Sequence, residues 1–217
     1  KVSNQNLHSM TAPELLIITH PDFLSEAQRL ANHRQSISGV ISKVVTTNQI
    51  YNEFSGGKQD VTALRDFLKM LYNDTNAHLK NVLLFGRGSY DYKNRVLGNT
   101  NYVPIYESRN SLSPLETYAS DDYYSFLETT EGEWSESPVQ NHTLDIGVGR
   151  LPVKTLEEAK RVVEKLIEYD LNPSSFGPWQ NEILFVADDG DFNIHNSQAD
   201  QLANSVELLN PKYHTQK

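Results

Sequence analysis

The chain has 217 residues, a net charge of −9 and no cysteine. That length suffices for one large or two small domains with a substantial core, without disulfides or structural metal. The acidic balance argues against a nucleic-acid footprint. The mean hydropathy is −0.54, and no run approaches the roughly 20 apolar residues of a membrane helix. Without cysteine, these residues hold no disulfide framework, zinc–thiolate site or cysteine nucleophile. The opening residues 1–6 are polar and form no apolar signal region. A chain that opens on Lys1 suggests a matured or cut polypeptide.

In chain order, residues 1–13 read as an entry segment. Residues 14–19 are a short apolar run, the pattern of a strand buried on both faces. Asp22 is placed to cap a helix over 23–36, whose Phe23, Ala27, Leu30 and Ala31 share one face. Ser38 and Gly39 end that helix. Residues 40–46 read as a second strand, and a loop at Gly56 and Gly57 follows. Asp60 caps a helix to Tyr72, with Val61, Leu64, Phe67, Leu68 and Leu71 as its apolar stripe. Residues 81–86 form a third buried strand. The order β-α-β-α-β predicts a parallel sheet with right-handed crossovers.

Residues 87–117 are irregular and rich in tyrosine (Tyr90, Tyr92, Tyr102, Tyr106). A loop this long inside a compact domain is usually functional or mobile. Residues 118–128 read as a strand. Turn residues around Gly132 and from Ser135 to Asn141 separate it from a second strand at 142–146, which predicts a β-hairpin or a pair of short strands. Gly147, Val148 and Gly149 then read as a strand-to-helix turn. Thr155 and Glu158 form a capping box for a helix to Asp170. Two prolines and a glycine in 173–178 mark the subdomain boundary. Residues 182–187 read as a buried strand, 188–191 as an acidic turn, 194–209 as a helix and 212–217 as the start of another strand.

Open α/β sheets place function at the carboxyl ends of their strands. Those ends hold His20, the run Gly86, Arg87, Gly88 and Ser89, and the acidic turn. Neither G-x-G-x-x-G nor a Walker pattern is present, which disfavours nucleotide binding. Asp188, Asp189, Asp191 and Asn193 cluster the oxygen ligands that calcium prefers. A helix N-terminal cap is the weightier reading of those carboxylates. Asp121 and Asp122 are adjacent, so on a strand they point to opposite faces. The seven histidines show no metal-ligand spacing. With no G-x-S-x-G elbow and no cysteine, no complete nucleophile–base set is legible.

Ser120 and Asp121 followed by Tyr123, the segment 146–150 with its Gly149–Arg150 pair, and a long helix ending in Ile167, Glu168 and Tyr169 together resemble the gingipain family of cysteine peptidases. The strand 82–86 and the stretch 179–186 fit the same pattern. The resemblance implies a caspase-like three-layer α/β/α fold, a parallel sheet flanked by helices with a β-hairpin insertion. It implies a non-catalytic first subdomain over 1–172, a linker at 173–178 and a truncated catalytic subdomain from 179 to 217. The tyrosine-rich 87–117 insertion is most similar to the branch that removes C-terminal sorting signals from type IX secretion cargo at the outer membrane. The family's His–Cys dyad matches no motif here, so this stretch is expected to be inactive alone.

The resemblance further implies export to the cell surface, outer membrane or periplasm. It implies as partners the rest of the catalytic domain, a protein or peptide substrate and other secretion-system components. No cofactor is required, and calcium is the metal to test, at Asp121, Asp188, Asp189 and Asp191. His195 falls near the carboxylate that selects basic side chains in the arginine-specific members, so basic-residue specificity is not expected. A rival reading is a non-catalytic module that binds a partner through residues 87–117. A second is a stand-alone nucleotide-binding domain, disfavoured by the missing phosphate loop.

Overall fold

A computed structural model describes residues 4–76, 78–110, 112–129, 131 and 142–217. The chain forms two compact units, Lys1–Ile167 and Glu168–Lys217. The first is built on four parallel strands: β1 (Leu15–Thr19), β2 (Ser42–Thr46), β3 (Asn81–Phe85) and β6 (Gly147–Leu151), in the order β2-β1-β3-β6. Neighbouring strands pair over five residues, from Leu15↔Ser42 to Thr19↔Thr46 on one side of β1 and from Leu15↔Asn81 to Thr19↔Phe85 on the other.

Alternation along each strand sends successive side chains to opposite faces. Leu16 and Ile18 therefore join Val45, Val82 and Leu84 on one face, where α2 (Thr47–Phe54) and α3 (Val61–Tyr72) contribute Ile50, Leu64, Phe67 and Leu71. Ile17 and Phe85 face the other way. There they meet Ala27, Leu30 and Ala31 of α1 (Leu24–Ser38) and Ala159 and Val163 of α4 (Leu156–Leu171). The unit is thus the three-layer α/β/α architecture, and each of its fully buried aliphatic side chains contributes about 1.5–3 kcal/mol.

Local signals set the element ends. Gly39 closes α1 in the left-handed region at φ 68°, a conformation that costs glycine nothing. The Asp60 carboxylate accepts from the Thr62 N–H at 2.8 Å and caps α3. Thr155 accepts from the Glu158 N–H at 3.1 Å and caps α4.

Several expectations change. Asp22 does not cap α1. It sits inside a 3₁₀ turn (Pro21–Phe23), where its N–H donates to the His20 ring. The helix α2 has no counterpart in the sequence reading, which passes over 47–54 as connection. It is held by a capping box: the Gln49 side chain accepts from the Thr46 N–H at 2.9 Å and the Thr46 hydroxyl from the Gln49 N–H at 3.4 Å.

The expected strand over 118–128 shrinks to β5 (Ala119–Ser120), antiparallel to β4 (Tyr106–Glu107). Pairing stops because Asp121 is drawn aside and residues Asp122–Ser125 coil into a 3₁₀ turn, which inserts Tyr123 and Tyr124 into the core. Residues 142–146, expected as the second strand of a hairpin, form no strand, and the turn of that hairpin, residues 132–141, lies outside the described residues. Gly147 to Gly149 are not a turn but the first half of β6, paired to β3 from Asn81↔Gly147 to Phe85↔Leu151. A side chain at Gly147 would collide with the Asn81 side chain.

Two polar anchors tie non-local segments to this frame. Arg65, 3% exposed, donates to the Phe126 carbonyl at 2.7 Å and the Glu131 carbonyl at 2.9 Å. The Glu131 carboxylate accepts from the Glu128 and Thr143 N–H groups at 3.1 and 3.3 Å. At the other end of the unit, Glu53 accepts from the Leu7 N–H at 2.8 Å and from Gln5 Nε2 at 2.8 Å. It also contacts His8 Nδ1 at 2.8 Å, and the His8 ring stacks on Phe54.

In the second unit, β7 (Glu182–Leu184) pairs in parallel with β8 (His214–Gln216). α5 (Gly190–Leu209) opens with Asp191, Phe192 and Asn193 in the left-handed region. The run 182–187 is not a buried strand here: Leu184 and Val186 are 65% and 85% exposed. Burial on both faces needs a layer on each side, and the described residues supply only α5. Residues 173–178 hold the turn Pro173–Ser175 and the start of the turn Pro178–Asn181.

Glu53 carries the first prediction. Partial burial acts to raise its pKa, but the hydrogen bonds from Leu7, Gln5 and His8 outweigh it and hold the pKa below the ordinary value. A depressed folded-state pKa gives stability that is present above the unfolded value and lost as pH falls through the folded one. Glu53→Gln is expected to cost about 1 kcal/mol at neutral pH. The deficit should disappear once the wild-type carboxyl is itself protonated. Urea unfolding of both proteins across the acid limb measures this.

Candidate functional site

The carboxyl ends of β3 and β6 open into a cleft of about 680 Å³. Its floor and walls include Arg87, Tyr90, Ile105, Glu107, Tyr118 and Arg150. The irregular segment 86–105 forms much of it, and close backbone approach shapes that segment. A Cβ on Gly86 would lie 3.0 Å from a Val103 methyl, and one on Gly88 would lie 3.0 Å from Ile105 Cβ. Gly86 also sits at φ 150°. Asn101 accepts from the Ser89 N–H at 3.1 Å, and Asp91 from the Val96 N–H at 2.6 Å.

Arg150 holds the site together. Its Nε and Nη2 donate to the two oxygens of Asp121, each at 2.7 Å. Nη1 donates to the carbonyls of Gly86 at 2.7 Å and Val103 at 2.8 Å, and Nη2 also reaches the Pro104 carbonyl at 3.2 Å. A guanidinium has five N–H donors in a fixed plane, and here each has an acceptor. Next to it, the buried Tyr124 hydroxyl donates to the same Pro104 carbonyl at 2.6 Å, and its pKa is pushed well above the ordinary value by burial.

Two other titratable groups at the strand ends are perturbed. Burial lowers the His20 pKa against an opposing pull from Asp22, and the ring packs edge-on to Tyr102 at 5.1 Å. Burial alone raises the Glu107 pKa, with no charged neighbour contributing.

The sequence-predicted residues are distributed as follows. Asp121 is brought to Arg150, which engages both of its oxygens. Asp188, Asp189 and Asp191 lie exposed in the turn that opens α5. Asp191 Oδ2 stands 3.3 Å from His195 Nε2. Among the described residues, no three His, Cys, Asp or Glu side chains are grouped to hold a metal ion. The Gly86–Ser89 run is not a phosphate cradle. Its Gly86, Arg87 and Ser89 N–H groups already bond Leu151, Val153 and Asn101.

Sequence reading missed the clasp itself and the carboxylate of Glu107. The rule that function sits at strand ends pointed to the right rim of the sheet. It gave no sign that Arg150, read as part of a turn, would be a strand residue reaching over that rim. The cleft lining includes neither histidine nor cysteine, so it lacks the pair that acyl transfer requires. No helix among the described residues is long and apolar enough to cross a membrane.

With this geometry in place, comparison with known proteins is informative. Residues 8–217 match the profile of the family described as Peptidase family C25. No curated protein sequence matches. Among solved structures, dimeric latent PorU from Porphyromonas gingivalis is similar at 32% identity and a TM-score of 0.70, over 82% of this chain and 17% of that one. The complex of the pro- and mature domains of RgpB, from the same organism, aligns at 16% identity and a TM-score of 0.61. It covers 93% of this chain and 40% of that one. The Arg-specific cysteine proteinase gingipain R (RgpB) gives 15% and 0.62, over 98% and 42%. These last two show the fold alone. The chain spans less than half the length of each of these three proteins.

The clasp is expected to dominate local stability. Asp121→Ala leaves a buried guanidinium short of its counter-charge and should cost about 3 kcal/mol. Adding Arg150→Met to that variant should recover part of the loss. Urea midpoints of the parent, Asp121→Ala, Arg150→Met and the double variant decide; a double variant as unstable as the sum of its parts argues against a coupled pair.

Proposed function

The chain belongs to peptidase family C25, and from that membership we propose that it is the N-terminal part of a gingipain-like cysteine endopeptidase. The finer reading is that the parent enzyme removes C-terminal sorting signals from cargo of the type IX secretion system. The observation that carries it is the 32% identity to PorU over 82% of the chain, together with the tyrosine-rich 87–117 segment. This reading makes the protein exported, acting at the outer membrane, the cell surface or in the periplasm. Its partners are then the rest of its own catalytic domain, a protein substrate and other secretion-system components.

The chain carries no cysteine, so the thiolate is supplied from outside these residues, and this reading puts its histidine in the remainder of the catalytic subdomain as well. There the thiolate attacks the peptide carbonyl and the histidine moves the proton to the leaving amine. The first unit is the buttress. The second contributes the β7–β8 pair and α5, and its exposed Leu184, Val186 and Leu202 are surface for the rest of that subdomain to cover. His195 lines the pocket for the substrate side chain, and an imidazole there disfavours a basic one. Calcium is an optional ligand of Asp188, Asp189 and Asp191, with carbonyls and water completing its 6–8 oxygens. At Asp121 it has to compete with Arg150.

The rival reading, a non-catalytic partner-binding module, is favoured by Leu97, Leu112 and Leu115, all at least 97% exposed. Activity separates the two. The intact protein that contains this chain should shorten a cargo bearing its C-terminal signal, and thiol alkylation should abolish the cleavage. The 217-residue chain alone should release no product. Cleavage that survives alkylation removes the cysteine mechanism, and an intact protein that cleaves nothing favours the module. For the metal, millimolar calcium should raise the melting temperature and a chelator should lower it. A flat response to both ends the calcium proposal.

A further inference from the structure

We propose that the cleft beside Arg150 is a binding site for an extended peptide that pairs with the free edge of β4 and sets a lysine or arginine side chain against Glu107. The site lies in the first unit, and the inference stands whether or not the peptidase reading does.

Three observations converge. The first is charge. The lining holds three charged residues, Arg87, Glu107 and Arg150. Every donor of Arg150 is engaged, and Arg87 is held by the Asn99 side chain. Glu107 alone has no hydrogen-bond or ion-pair partner among the described residues; it is exposed at the rim of the cleft, and the nearby protein still raises the pKa of its carboxyl. A lone carboxylate at the rim of a mostly apolar cleft is complementary to a cation carried on an apolar stem.

The second observation is backbone. In the β4–β5 ribbon Tyr106 faces Ser120 and Glu107 faces Ala119, and the Ser108 N–H donates to the Tyr118 carbonyl at 2.9 Å. Hydrogen-bonded pairs alternate along an antiparallel ladder. Glu107 therefore turns its own N–H and C=O away from β5, and neither has a partner among the described residues. An open strand edge over a groove is the arrangement used in β-augmentation.

The third is shape. The volume lies within the roughly 300–1,000 Å³ of ligand-sized clefts. Ile105, Tyr118 and Pro152 line it, giving apolar contacts for the residues that flank the basic one.

The test uses the full chain and a fluorescein-labelled, end-capped peptide, Val-Leu-Lys-Val-Ser, read by fluorescence anisotropy. Two companion peptides replace the lysine by glutamate or carry an N-methyl group on the lysine amide. The lysine peptide should bind at least about fivefold more tightly than the glutamate peptide, and the N-methyl peptide should bind more weakly than its parent. Glu107→Gln should erase the preference for lysine. Glu157→Gln, on an exposed turn of α4, should keep it and so controls for the general acidity of the chain. Equal binding of the lysine and glutamate peptides, an unchanged preference in Glu107→Gln, or no saturable binding would overturn the proposal. Retained affinity of the N-methyl peptide would overturn the strand-pairing part.

Discussion

The rim of the first unit depends on one guanidinium. Arg150 leaves β6 and reaches acceptors from three other stretches of chain: the end of β3, the 103–104 segment and the start of the 122–125 turn. Its side chain is 11% exposed, so each donor left without an acceptor would carry a desolvation cost. Only an arrangement that supplies five acceptors in the plane of the group satisfies it. That requirement fixes where the 103–104 carbonyls lie, and through them the wall of the cleft. A lysine, with three donors on a point charge, does not impose the same geometry.

The same constraint explains why an irregular segment keeps a definite shape. Residues 86–105 have almost no regular ladder, yet their polar groups are paired by Asn99, Asn101, Ser89 and Asp91. Gly86 and Gly88 let the two arms of the segment touch without side chains between them. A loop whose backbone groups are satisfied by its own side chains does not need a sheet to define it. This is how a segment of high tyrosine content and no periodicity lines a concave surface.

The legible part of the sequence was the part governed by period and capping. Strands β1 to β3 stood out as apolar runs, and α3 and α4 as stripes with Asp60 and Thr155 in front of them. The parallel sheet followed from the order of those elements, and the three-layer gingipain-like architecture from the resemblance. The unread parts have physical causes. α2 is only eight residues long, and its N-cap, Thr46, is the last residue of the expected second strand, so the Thr46–Gln49 box was overlooked. In β6 one of the two glycines that suggested a turn, Gly147, instead lies against the Asn81 side chain of the neighbouring strand. Ser120 and Asp121 were assigned to a long strand because aromatic residues follow them, but those aromatics serve the core through a 3₁₀ turn. The cleft was invisible because its walls come from residues 87 and 150, which only the β3–β6 pairing brings together.

Glu131 has an effect on how this fold can vary. Its backbone carbonyl is tied to Arg65, and its carboxylate grips N–H groups at both 128 and 143. The two stems flanking residues 132–141 are therefore joined below whatever the chain does between them. Lengthening a tethered segment costs little, about 0.6 kcal/mol for each doubling. With the stems already fastened, that cost does not reach the sheet. Added sequence between these stems therefore leaves the sheet undisturbed, whereas the β2–α2 joint, which has no intervening residue, offers no such slack.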